Sequence, residues 1–364
     1  MDLPAILRFA LANGASDVHL QSGSPPIVRI QGQMRALDVP ALQSDTARQV
    51  IADLMPADRV MNLDRNLTDG VDFSFQADGI GRFRCSAYSH LGRPGLVMRV
   101  IPAAPPQLSA LNLPEVLEEI ALEDRGMTLI TGTTGSGKST TLAAMIDLIN
   151  SARSKKIVTI EDPVEFIYQN RRSLISQLEV GHDTPSFQQG LRQALRQDPD
   201  VIVIGELRDL ETLRIALQAA DTGHQVFATV HSSNTWQTIE RIIAMFPPAE
   251  HRLLLSQLAK SIEAIISQRL VTSKDGPRIP AVEILRGSPV TEKYLLENRL
   301  SELSDYLASG ESGMQTFDQH LLELYNTKRI TGTQAMQWSS NTEAMSLAMR
   351  GIRRVGGGRM TAQK

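Results

Sequence analysis

The densest chemistry in this chain lies in one octapeptide, Gly132-Thr133-Thr134-Gly135-Ser136-Gly137-Lys138-Ser139. Three glycines let backbone amides close around phosphate oxygens, a lysine ammonium neutralises charge at the β and γ positions, and a serine hydroxyl can ligate magnesium. The apolar run Met127 to Thr131 before it reads as a strand and Thr140 to Ile149 after it as a helix, the two contexts such a loop needs. Residues 132–139 with Thr140 are therefore the expected nucleotide-binding segment, and ATP with Mg2+ the expected ligands. A glycine turn that merely joined strand to helix would need neither the lysine nor the serine.

Hydrolysis needs carboxylates as well as a cradle. One should organise magnesium from the end of a neighbouring strand, and Glu206 follows the apolar run Val201 to Ile204 through Gly205. Aspartate is usual there, and a glutamate could instead serve only as an ion-pair partner of Arg208 or Arg214. A second carboxylate should activate water, and Glu161-Asp162-Pro163-Val164-Glu165 follows the strand-like Ile157 to Ile160. Glu165 is the expected general base; Glu161 and Asp162 are alternatives, and any of the three could instead cap a helix. His224 and His231 flank the stretch Gln225 to Val230. A histidine at a strand end can sense a γ-phosphate through a hydrogen bond or a proton, or simply sit at the surface. Arg82, Arg84 and Arg99 lie on strand-like segments, where guanidinium forks could reach phosphate across a cleft or face solvent.

These side chains need a scaffold, and 364 residues are enough for two cores. Leu3, Ile6, Leu7, Ala10 and Leu11 behind Asp2 have the spacing of an amphipathic helix and lack the basic start of a signal peptide. Short alternating runs follow at 16–20, 27–30, 71–75, 82–88 and 95–100, with glycine and proline between them, so residues 1–100 read as an α+β domain. Ile101-Pro102-Ala103-Ala104-Pro105-Pro106 breaks regular structure, which places a linker at 101–112. Continuous apolar runs at 127–130, 157–160, 201–204 and 225–230 alternate with helical patterns and indicate a parallel sheet buried on both faces, an ATPase core over 113–270. Residues 271–351 read as a helical subdomain, and 352–364, with Gly356-Gly357-Gly358, as a flexible tail.

Bulk properties narrow the options further. Composition is that of a globular protein, 42% hydrophobic and 21% charged. The net charge of −3 and the lack of a basic cluster supply no attraction to nucleic acid. Cys85 is the only cysteine, which excludes an intrachain disulfide and fits a reducing compartment, the cytosol. No stretch is apolar enough to span a membrane, so membrane association is expected only through a partner.

Two longer segments carry a resemblance. Leu195 to Asp209, including Asp198-Pro199-Asp200 and Gly205-Glu206-Leu207-Arg208-Asp209, is similar to the magnesium-strand signature of the type II/IV secretion superfamily of ring ATPases, in which a glutamate at the place of Glu206 is normal. Thr159 to Glu165 resembles that family's Asp box, whose last glutamate polarises water, and Thr222 to His231 its His box. Gly14 to His19 and Gly313 to Asp318 look like the PilT and PilU type of pilus retraction ATPase. The resemblance implies a PAS-like α+β first domain, a RecA-like P-loop ATPase domain with a helical C-terminal region, and a homo-hexamer in which neighbours supply arginines, with Arg82, Arg99 and Arg241 the candidates. It implies ATP-driven pilin depolymerisation and twitching motility. The implied partners are an inner-membrane pilus platform protein and a paralogous retraction ATPase, with the chain cytoplasmic and peripheral to that membrane. RecA-like rings also move DNA, which the charge disfavours. One departure stands out: where PilT-type motors carry Ala-Ile-Arg-Asn-Leu-Ile, this chain reads Val290-Thr291-Glu292-Lys293-Tyr294-Leu295. Charge is reversed at the arginine position, which fits a PilU-like accessory subunit, whereas the Asp box and the magnesium-strand segment read closer to PilT; a retraction motor is the expectation and an accessory subunit its alternative.

Overall fold

The computed structural model describes residues 1–276, 278–355 and 359–362. They form two compact units, one of residues 1–104 with 165–167 and one of the remainder.

In the first unit, β1 (Ala15–Gln21), β2 (Ile27–Ile30), β3 (Gln33–Ala36), β4 (Val71–Ala77), β5 (Gly81–His90) and β6 (Arg93–Ile101) make an antiparallel sheet in the order β3-β2-β1-β6-β5-β4. Four helices accompany it: α1 (Leu3–Ala12), α2 (Ser44–Leu54), α3 (Ala57–Val60) and α4 (Leu63–Asp69). The Asp2 carboxylate caps α1 by accepting from Ala5 N at 3.0 Å. Helical spacing then turns Ile6, Leu7 and Ala10 inward to the core that holds Val18, Leu20, Val28, Phe83, Leu96 and Met98 from the strands. Cys85 lies in that core, and burial pushes its thiol up to about 12, so it stays a protonated, unreactive packing residue. The arrangement is the PAS-like α+β domain that the resemblance implies.

The second unit is built on β7 (Gly126–Thr131), β8 (Lys156–Glu161), β9 (Leu174–Glu179), β10 (Val201–Ile204), β11 (Gln225–Val230), β12 (Ile262–Thr272) and β13 (Arg278–Arg286). Their order is β13-β12-β7-β11-β10-β8-β9, parallel except for the β12–β13 pair. Strands β7, β10 and β11 are buried along their whole length, as an apolar strand covered on both faces must be. The connecting helices are α5 (Val116–Ala121), α6 (Lys138–Ala152), α7 (Phe187–Ala194), α8 (Leu210–Asp221), α9 (Thr235–Ala244) and α10 (His251–Ser261). Ser186, Asp209 and Asn234 cap α7, α8 and α9, fixing where each helix leaves its loop. This is a RecA-like sheet.

The helical reading of the region beyond 270 needs correction. Strands β12 and β13 occupy 262–286, so the sheet runs past the boundary expected at 270. No glycine or proline separates α10 from β12, and only pairing with β7 distinguishes the apolar run at 262–266 from more helix. That pairing contains a bulge, because Ile262 lies opposite Met127 but Ala264 opposite Thr128. The extra residue reverses the strand's phase. Ile262 and Ile265 thus enter the core on one face of the sheet, while Ala264 and Ile266 enter the core on the other.

Helices α11 (Pro289–Leu296), α12 (Leu300–Leu307), α13 (Phe317–Asn326), α14 (Gly332–Trp338) and α15 (Thr342–Met349) complete the expected helical region. A separate core joins Val271, Ile279 and Ala281 of the β12–β13 hairpin to Leu321, Leu324, Ile330, Ala335 and Met345. His320 of α13 is buried, and its Nδ1 accepts from Val282 N at 2.9 Å. Burial pushes its pKa down to about 4, because an imidazolium there would lose its hydration. Below pH 6.5 the unfolded chain takes up a proton that the native state refuses, so stability falls as pH drops, by about 3 kcal/mol near pH 4. Urea titrations from pH 7 to 4 should show this loss, and a His320→Gln chain, which keeps an acceptor without the titration, should show a shallower slope.

The segment from 352, expected as a flexible tail, carries a short ladder in which β14 (Ile352–Val355) pairs antiparallel with β15 (Arg359–Ala362). The glycine-rich composition between them masks two stretches able to pair. Residues 356–358 and 363–364 of that expectation lie outside the described residues.

Candidate active site

Parallel strands β7, β11, β10 and β8 are neighbours in that order, so their carboxyl ends form one edge, where open α/β sheets bind ligands. Four segments leave that edge: the loop 132–137, His231, Gly205-Glu206 and Asp162. Four separated motifs thereby become a single site in the second unit.

The loop is shaped by its glycines. Gly132, Gly135 and Gly137 have φ of 149°, 76° and 90°, a region that disfavours any other residue. A Cβ on Gly132 would stand 2.4 Å from Ser136 Oγ, whereas one on Gly135 would meet nothing within 4 Å, so the middle of the loop faces open space. Lys138 Nζ donates to the carbonyls of Gly132 and Thr133, each at 3.0 Å, and is 8% exposed. Gly137 brings no side chain to cap α6, which leaves the helix start as an anion site. Ser139 and Thr140 follow on its first turn, half-buried.

Glu206 sits one residue beyond Gly205, whose amide donates to Ile160 O at 2.7 Å. A Cβ there would lie 3.2 Å from that carbonyl, a tight fit against backbone that glycine avoids. The Glu206 carboxylate takes Arg208 Nη2 at 2.6 Å on one oxygen and His231 Nε2 at 3.2 Å on the other. Burial works to raise its pKa, but the Arg208 hydrogen bond and the His231 ring outweigh it and hold the carboxyl below its ordinary value. The ion pair raises Arg208 in turn. The carboxylate is therefore ionised at neutral pH, as magnesium binding requires. Of the two alternative partners, Arg208 is the one used; Arg214 pairs with Glu211 and Glu250.

Glu161 accepts from Thr159 Oγ1 at 2.7 Å and Gln177 Nε2 at 3.1 Å. Asp162 is exposed beside it and contributes to the field at Arg208. Glu165 is exposed and belongs to the three-residue stretch that packs with the first unit, where Ile167 N donates to Pro102 O at 3.4 Å. Arg82 and Arg99 lie on β5 and β6 of that unit, with Arg99 Nε held by Asp17 at 2.9 Å. Arg84 pairs with Asp72 at 3.3 Å. Arg241 turns to its own chain's site edge, donating to His231 O at 2.5 Å.

His224 is a correction. It precedes β11, its carbonyl accepts from Gly126 N at the start of β7, and its Nδ1 lies 3.0 Å from Ala219 O. The phosphate loop leaves the other end of that six-residue strand, roughly 20 Å away. Within one subunit, then, His231 alone of the two histidines is at the site, because a parallel strand sends its two ends to opposite edges of the sheet.

Sequence reasoning missed Gln268 of β12. Its Nε2 donates to Ser136 O at 2.8 Å and its Oε1 accepts from Thr141 Oγ1 at 2.8 Å, all buried. The sequence signal is weak: Gln268 stands between Ser267 and Arg269 in the mixed run Ile262 to Val271, and only its burial in the folded chain requires that its amide be hydrogen-bonded.

A phosphate-binding loop following an inner strand of a RecA-like sheet, with carboxylates on the strands beyond, defines a P-loop ATPase. The chain belongs to the family described as Type II/IV secretion system protein, which matches residues 2–299. A Pseudomonas aeruginosa protein named as the type IV pilus retractation ATPase PilT is 40% identical over 322 residues, 88% of this chain and 93% of its own. The type IV pilus ATPase PilU of the same organism is 37% identical over 352 residues, 96% of this chain and 92% of its own. A crystal structure of the pilus retraction motor PilT with bound ADP matches with a TM-score of 0.87 at 40% identity, over 94% of this chain and 98% of that one.

Proposed function

We propose that this chain is a motor that hydrolyses ATP to retract a type IV pilus, depolymerising pilin and so driving twitching motility. The observation that carries this reading is the single edge on which the phosphate loop, Glu206 and His231 meet, in a chain 40% identical over most of its length to a retraction ATPase. Lys138 and the loop amides bind the phosphates. Ser139 and Glu206 offer hydroxyl and carboxylate oxygens, the hard donors that suit Mg2+. Both Glu206 oxygens are engaged by Arg208 and His231, so Glu206 would hold an ion only through water or after giving up one of these partners. When bound, the ion neutralises phosphate charge. Glu165 takes the proton of the attacking water, and His231 reports the phosphate state to Glu206. Motion of the first domain coupled to hydrolysis would do the work in a homo-hexamer, with Arg82, Arg99 or Arg241 reaching a neighbour's nucleotide.

No helix among the described residues is long and apolar enough to cross a membrane. In this reading the chain works in the cytoplasm, at the inner membrane through a pilus platform protein. A second reading, an accessory subunit for a paralogous retraction ATPase, is favoured by helix α11. There Thr291 is buried with its hydroxyl on Arg286 O at 2.8 Å, and Glu292 stands where an arginine is usual. Steady-state ATP turnover by the purified chain, with its mass in solution, decides between them. A hexamer that turns over ATP alone supports the motor; a hexamer that binds ATP and turns over only when mixed with its sister supports the accessory reading.

A further inference from the structure

We infer that Gln268 is a positioning residue that locks the direction of the Ser136–Gly137 peptide, and with it the amide that Gly137 presents to phosphate. This rests on the nucleotide site proposed above and goes beyond it by assigning the control of that site to a different strand.

A trans peptide is planar, with its carbonyl and its N–H pointing in opposite directions. The Ser136 carbonyl is bound by Gln268 Nε2 at 2.8 Å, so the Gly137 N–H of the same peptide is turned away from β12 and toward the loop. Nothing local enforces that choice. Gly137 has φ of 90°, and glycine crosses between such conformations at little cost. If the peptide turned over, a carbonyl oxygen would face the phosphates where a donor is needed.

The lock is itself held. Gln268 Oε1 accepts from Thr141 Oγ1 at 2.8 Å on the first turn of α6, which fixes the amide so that its nitrogen, not its oxygen, meets Ser136 O. Gln268 is 3% exposed. Its backbone also packs on the other end of the loop, where a Cβ on Gly132 would lie 2.5 Å from Gln268 O, and its side chain closes on this end, where a Cβ on Gly137 would lie 2.6 Å from Nε2. Register explains why this residue occupies the place: Ser267 is paired with Thr131, the last residue of β7. Residue 268 is the next along and faces the α6 side with Ala264 and Ile266.

Affinity for a ligand that needs one peptide orientation falls by the fraction of the chain that has it. Gln268→Met keeps the volume and removes both hydrogen bonds, leaving a buried carbonyl without its donor. Its dissociation constant for a fluorescent ADP with Mg2+ should rise roughly tenfold or more, with a fall of about a few degrees in the melting temperature of the nucleotide-free chain. Gln268→Glu, which removes the donor and brings a carboxylate to Ser136 O, should lose more. Thr141→Val should lose less, and Thr141→Ser should restore affinity. A melting temperature that falls while affinity stays at the wild-type value would reduce Gln268 to a packing residue and overturn the proposal. Should Gln268→Met fail to fold, Thr141→Val with unchanged affinity does the same. A wild-type chain that does not bind the probe would instead refute the nucleotide site itself.

Discussion

A Lys138→Ala chain is expected to fold and to lose ATP turnover by roughly 10²- to 10³-fold, with nucleotide affinity falling alongside. Alanine is at least as good a helix former as lysine, so α6 should keep its start. What disappears is a mostly buried cation inside the loop. In the wild-type chain the ammonium ties the Gly132 and Thr133 carbonyls to one point at 3.0 Å each. Without it those oxygens have no counter-charge in the space where phosphate must sit, and the loop amides and the helix start have to hold the anion unaided. Charge-assisted hydrogen bonds are the strong ones, and a site of this kind depends on them in the transition state more than in the ground state. Coupled-assay turnover and fluorescent-nucleotide binding on the same preparation test both halves. Turnover near the wild-type value would remove Lys138 from the catalytic machinery.

Glu165→Gln should separate binding from hydrolysis. The amide has the carboxylate's shape but cannot take a proton, and loss of a general base costs roughly 10²- to 10⁴-fold in rate. Nucleotide affinity should stay near the wild-type value, so that the variant accumulates bound ATP. Glu161→Gln and Asp162→Asn are the comparisons, because the three carboxylates stand in different surroundings. Glu161 is committed to Thr159 and Gln177, whereas Asp162 is exposed near the Glu206–Arg208 pair. Glu165 is exposed on a stretch that packs with the first unit. If Asp162→Asn stopped turnover and Glu165→Gln did not, the base would move to Asp162.

The features legible in the sequence were those that local chemistry dictates. The loop 132–139 declares itself because phosphate binding fixes residue types at fixed spacing, and the continuous apolar runs of β7, β8, β10 and β11 declare a sheet covered on both faces. Features set by long-range pairing were not legible. Strand β12 reads as a continuation of α10 until β7 lies beside it, and Gln268 has no meaning before that pairing places it against a loop 132 residues earlier. His224 misled for a related reason: the two histidines bracket one strand in sequence, but the strand itself carries them to opposite edges. Arg208 was weighed as a partner of Glu206, yet the sequence could not say that His231 would take the carboxylate's other oxygen.

The bulge at the start of β12 makes the counting of residues a chemical matter. Downstream of Ala264 the strand presents amide and guanidinium alternately to opposite cores, with Gln268 toward α6 and the next residue, Arg269, over the Phe317 ring at 3.8 Å. Loss of one residue between 264 and 268 would bring the guanidinium to the phosphate loop, and gain of one would bring the Ser267 hydroxyl; changes of two would keep the facing and alter only the reach. Facing is thus kept only under insertions and deletions of even number, a constraint imposed by pleating and blind to the identity of the residues gained or lost, and even those carry Gln268 about 7 Å along the strand, out of hydrogen-bond range of Ser136.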